Sequence, residues 1–148
     1  MTIIELMLVI AIISLMAAVG GPNMLSMMYR SKRTEVITVT QGIYTSQRAY
    51  ESRWDSYVDA PSYHPRETLT RKKVIWPHEG ELSESLGYQP DGMVHGKYMS
   101  GADSERAFEV IGQIDVDGDG ENAIYQITFN EDSDTPREQD WMTGDQVF

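Results

Sequence analysis

Residues 1–21 read MTIIELMLVIAIISLMAAVGG, with Thr2, Glu5 and Ser14 the only polar side chains and no Lys or Arg before Arg30. A helix crossing a hydrocarbon layer of about 30 Å needs about 20 apolar residues, and this run meets that length. Such a run must be buried, in lipid or against protein. A secretory signal peptide opens with positive charge and closes at a small-residue cleavage site. This segment has no basic residue and carries an acid at position 5. A plain membrane anchor explains the apolar run but leaves Glu5 without a role, because a carboxyl group in a membrane helix is costly and calls for a partner.

Thr2-Ile3-Ile4-Glu5-Leu6-Met7 and the following Leu8-Val9-Ile10-Ala11-Ile12-Ile13, with Pro22 in register, resemble the mature N-terminus of a type IV pilin. The family usually has Phe first and often Gly at position 14; this chain has Met1 and Ser14. The resemblance implies that Met1 is the processed and N-methylated terminus. It implies that Glu5 pairs with a neighbouring subunit's terminal amine and sets the register of assembly. It also implies a chain first held in the inner membrane, then polymerised as a homo-oligomeric filament at the bacterial cell surface. Prepilin peptidase and the pilus assembly machinery are the further partners it implies. Burial of apolar surface, at about 25 cal/mol per Å², would hold such a fibre together.

Pro22 lacks an N–H and clashes with the carbonyl of Ala18. Gly20 and Gly21 weaken the helix further, by about 1 kcal/mol each. A break, as a kink or as local unwinding, is expected at Gly20, Gly21 and Pro22. Residues 1–23 therefore read as an apolar anchor and filament-core helix, and residues 24–57 as an amphipathic half. Val36, Val39, Ile43, Tyr50 and Trp54 fall on one helical stripe. The β-branched stretch 34–40 has strand propensity, but the stripe continues through it and predicts helix. Tyr50 and Trp54 are expected in the core, with Tyr29, Tyr44 and Tyr57 at subunit contacts. Residues 41–57 also resemble the second half of the pilin helix.

Residues 58–92 are rich in Pro and Gly and read as a loop region with one short helix near 81–86. Residues 93–129 offer three strands, 93–99, 107–114 and 123–129, the last two alternating apolar and polar side chains. Residues 130–148 read as an irregular acidic tail with Trp141 and Phe148 as anchors. The fold class is α+β: a long N-terminal helix, its apolar half protruding, with an antiparallel sheet packed on the amphipathic half.

Asp115, Asp117 and Asp119, with Gly120 sixth in the run, match the first half of a calcium loop. The twelfth position, where a bidentate Glu belongs, is Gln126. Two readings stand, a candidate calcium site and a Gly-rich hairpin turn with solvated acids. The stretch 112–127 resembles the sheet turn of pilins and of secretion pseudopilins, some of which bind calcium.

The formal net charge of −11 argues against direct nucleic-acid binding, since phosphate would be repelled. The charge is uneven: residues 1–75 carry nine basic and six acidic side chains, residues 76–148 three and seventeen. With no cysteine, disulfides and thiolate sites are excluded. His64, His78 and His95 lack metal-ligand spacing, and no nucleophile–base pattern appears, so the chain reads as a non-enzyme. The leading reading is a major pilin in a fibre used for motility or adhesion. The alternatives are a type II secretion pseudopilin, which forms a short periplasmic fibre, and a membrane-anchored binding module.

Overall fold

The computed structural model describes residues 2–67, 71–104, 106–133 and 135–140. Helix α1 runs from Ile3–Trp54, 52 residues, or about 78 Å at 1.5 Å per residue. It starts where Thr2 caps it and ends where Asp55 turns left-handed at φ 55°, its N–H donating to the Glu51 carbonyl. The β-branched stretch 34–40 is helical, as the stripe predicts. The helix is also continuous through Gly20, Gly21 and Pro22: of the two forms of break expected there, local unwinding is absent from the single subunit. Proline removes one N–H···O bond, and the bonds on either side can carry the helix past it.

The strands are β1 (Ala60–His64), β2 (Val74–Ile75), β3 (Met93–Val94), β4 (Lys97–Ser104), β5 (Ala107–Ile114), β6 (Ala123–Asn130) and β7 (Arg137–Asp140); a short helix α2 covers Glu81–Glu84. Five strands form one antiparallel sheet in the order β1-β4-β5-β6-β7, and β2 pairs with β3 separately. The expected strand 93–99 is therefore two strands in two sheets, split at His95-Gly96. The region read as loop contributes β1 and β2, and the tail contributes β7. β2 has two residues, β7 is exposed throughout and β1 is buried only at its two ends, so no apolar alternation marks them.

α1 lies across β5 and β6. Alternation puts Phe108, Val110 and Ile114 of β5, and Tyr125, Ile127 and Phe129 of β6, on the inner face against Val36, Val39 and Ile43. Gly112 faces the helix too, and a methyl group there would overlap the Thr40 hydroxyl and sit 2.8 Å from Val36 Cγ1. The absent side chain is what lets helix and sheet approach. Buried Gln47 ties three elements together: its Nε2 donates to the Val58 carbonyl (2.7 Å) and to Ser100 Oγ (2.8 Å), and its Oε1 accepts the Val58 N–H (3.0 Å).

The aromatic assignments are partly reversed. Trp54 is 58% exposed, whereas Tyr57 is buried and Tyr44 packs on Phe108 with ring centroids 5.5 Å apart. Trp54 is the last residue of α1 and lies beyond its last fully buried side chain, Gln47. Trp141 and Phe148 lie outside the described residues.

Candidate assembly surface and the acidic loop

From Ile3 to Met28 the side chains of α1 meet almost nothing. Ile3, Leu8, Ile13, Leu15, Val19 and Met27 are all more than half exposed. By length and composition this stretch is long and apolar enough to cross a membrane, and none of it is buried by the described residues. An exposed apolar surface of this extent marks a contact with protein or lipid.

At its tip Thr2 and Glu5 form a reciprocal capping box. The Thr2 N–H donates to Glu5 Oε2 (2.7 Å), and the Glu5 N–H donates to Thr2 Oγ1 (3.4 Å). Two helix-end donors that would otherwise face an apolar medium are thereby satisfied. The acid expected to wait for a neighbour thus has a partner in its own chain through one oxygen. The spacing Thr-x-x-Glu ahead of an apolar run carries this signal in the sequence, and the reading of Glu5 as an assembly residue overlooked it. Met1 lies outside the described residues. Gly20 and Gly21 meet no atom within 4 Å of a would-be Cβ. Ser14 Oγ donates to the Ile10 carbonyl (2.7 Å), so its hydroxyl is satisfied within the helix.

Where the helix enters the lobe, its cations turn inward. Lys32 Nζ donates to the Val116 carbonyl (2.9 Å), and Arg33 lies 3.6 Å from Asp140. The loop between β5 and β6 thus rests on the helix.

That loop brings Asp115, Asp117 and Asp119 together, one carboxylate oxygen of each lying within 4.8 Å of the others. The same carboxylates accept backbone N–H groups. Asp115 takes those of Gly118 (2.6 Å) and Gly120 (3.3 Å), Asp117 that of Asp119 (3.3 Å), and Asp119 that of Glu121 (2.8 Å). Gly118, at φ 84°, packs against the Arg71 side chain. Nothing in the spacing of the chain announced Lys32 or Arg71 as neighbours of the loop, because both contacts are long-range. Gln126 sits in β6 opposite Ile111 and donates to Glu109 Oε2 (2.7 Å), so it contributes nothing to the loop.

The histidines are accounted for by packing and hydrogen bonds. His64 is buried against Trp76, with Nε2 3.1 Å from the Pro77 carbonyl oxygen. The His95 N–H donates to Glu35 Oε1 (2.6 Å), and its Nδ1 lies 2.9 Å from Oε2. His78 Nδ1 lies 3.0 Å from Gln89 Nε2.

No family model matches the chain, and no solved structure matches it. A stretch of 58 residues, 39% of the chain, is 43% identical to the type IV major pilin protein PilA of Myxococcus xanthus (strain DK1622), and spans 26% of that protein's length. That likeness, joined to a long apolar helix followed by an antiparallel sheet, supports a type IV pilin-like identity for the chain.

Proposed function

We propose that this type IV pilin-like chain is a structural, non-enzymatic subunit that polymerises through residues 3–28 into a type IV pilus serving surface motility or adhesion. The observation that carries the reading is the exposed apolar half of α1, which the described residues leave uncovered. Burial against other copies would remove that surface from water and drive assembly. Before assembly the same surface suits the inner membrane, from which prepilin peptidase and the assembly machinery would take the subunit. Met1 is then the processed, methylated terminus. Glu5, capped by Thr2 in the single subunit, would offer its second oxygen to a neighbour's terminal amine. Such a pair fixes register even where it adds little stability. Gly20, Gly21 and Pro22 form the weakest helical stretch, where a fibre under load would lose helix first.

Glu5→Ala tests the register. We expect fibre yield, counted by electron microscopy, to fall severely while the lobe keeps its circular-dichroism melt; an unchanged yield would refute the register. The intact mass of native subunit tests Met1, since a chain beginning upstream of it and unmethylated would contradict the processing. The cluster at Asp115, Asp117 and Asp119 favours one second reading, a secretion pseudopilin with calcium in its lobe. Short periplasmic fibres in place of long surface ones would select it.

A further inference from the structure

Beyond the apolar half of α1, three large apolar side chains stand out among the described residues: Trp54 (58% exposed), Ile75 (68%) and Met93 (49%). Ile75 and Met93 are cross-strand partners in the β2–β3 pair, so they form one patch. Trp54 forms another, with Tyr50 beside it and the Arg53 guanidinium 5.2 Å from its ring centroid.

Each patch borders a groove between α1 and the segment that follows it. The lower groove includes Thr34, Thr38, Lys73, Asp91 and Met93. The upper one includes Ser46, Ala49, Arg53, Trp54 and Glu84. Thr34, Thr38, Gly42, Ser46, Ala49 and Arg53 follow one another at steps of four and three, so both grooves lie on one face of the helix. Tyr88 packs against Gly42 between them. From Thr34 to Arg53 the helix rises about 28 Å. The grooves therefore mark the bottom and the top of one side of the lobe.

Their charges match in reverse. The upper groove has exposed Arg53 and Glu84; the lower has exposed Lys73 and Asp91. We infer that in the fibre the upper groove of one subunit docks on the lower patch of a second, parallel copy that is turned about the α1 direction to face it and displaced by about 28 Å along α1. Trp54 then covers Ile75 and Met93, Arg53 meets Asp91, and Glu84 meets Lys73. The two surfaces differ, so the contact is heterologous and repeats without closing, as a fibre requires. Parallel copies follow from a shared core of apolar helices; the inference thus rests on the proposed function and names where its lobes touch.

The chain has no cysteine, which makes the test clean. Fibres of the double variant Trp54→Cys, Met93→Cys, once oxidised, should run on non-reducing gels as a ladder of dimers, trimers and higher species, whereas each single variant runs as monomer. A cross-link within one subunit is ruled out, since a disulfide needs Cα atoms within about 7 Å. Arg53→Asp should cut fibre yield several-fold, and adding Asp91→Arg should restore it. Fibres of the double-cysteine variant that run only as monomers overturn the docking and leave the filament reading intact. Native material that forms no fibre overturns both.

Discussion

The two halves of α1 belong to one unbroken helix but solve opposite problems. In residues 36–47, Val36, Val39, Thr40, Ile43 and Gln47 are buried while Thr38, Gln41 and Thr45 are exposed, because the sheet covers one side. In residues 3–28 the apolar side chains point all around the axis and are exposed. A one-sided stripe signals a partner within the chain; an all-round apolar surface signals surroundings the chain does not supply. The contrast predicts that equal substitutions have unequal consequences.

Ile43→Ala should show the largest effect on the lobe. The side chain is fully buried, and truncation there costs about 2–5 kcal/mol. For a lobe of this size we expect the thermal midpoint to fall by about 10 °C or more. Ile10→Ala removes the same atoms from an exposed position and should leave the lobe's midpoint within about 2 °C, while weakening fibres. Equal melting of the two variants would erase the distinction between the halves.

Gln47→Leu probes the same contrast through polarity. The substitution keeps bulk but leaves the Val58 N–H and carbonyl without their side-chain partners. Stranding buried groups costs about 1–3 kcal/mol, so a destabilisation of about 2 kcal/mol in urea is expected. On the exposed half, Ser14→Leu should cost the lobe nothing measurable.

What could be read in advance follows the same division. The apolar run, the stripe from Val36 to Ile43 and the alternation of β5 and β6 were legible because each repeats with the period of its element. β1, β2 and β7 were not. β2 has two residues, and β7 is exposed at all four, so no face is marked. They are strands because a neighbour's backbone offers hydrogen bonds, which side-chain pattern does not encode. At the candidate site the convergence of the acidic triplet was legible in its alternate spacing. The capping role of Thr2 was available in the spacing but overshadowed by the resemblance. The contacts of Lys32 and Arg71 with the loop join residues far apart in the chain and leave no local trace.

Alkaline pH separates the halves by chemistry. Residues 6–28 contain no titratable side chain. The lobe's packing includes tyrosines whose burial disfavours the phenolate: Tyr57 is pushed up, Tyr98 further, and Tyr125 up to about 12, with Glu138 adding to the last. In the unfolded chain these groups titrate near 10. Above that pH the unfolded state binds fewer protons than the folded one, so stability falls as pH rises. Below it, their contribution is fully present. We expect the lobe's urea midpoint to hold to about pH 9 and to decline from about pH 10 upward. Tyr98→Phe should soften that decline.

The smallest effect is expected where the halves join, at the loop held by Lys32. A calcium ion takes 6–8 oxygen ligands, with a bidentate Glu closing the usual loop. Here the three aspartates converge, but Gln126, at the closing position, is committed to Glu109 within the sheet. The aspartates already hold the turn by accepting N–H groups from Gly118, Asp119, Gly120 and Glu121. Binding adds RT ln(1 + [L]/Kd) to stability, about 2.7 kcal/mol at a hundredfold excess over Kd. A loop so incompletely coordinated should bind calcium no more tightly than about 10 mM, weaker than dedicated extracellular sites. Calcium at about 1 mM should therefore move the lobe's midpoint by less than about 1 °C, equally in native protein and in Asp117→Ala. A rise of several degrees that Asp117→Ala abolishes would make the loop an ion site. The junction would then be braced by calcium rather than by backbone hydrogen bonds, and the lobe's stability would depend on the medium while the apolar half of α1 stayed indifferent to it.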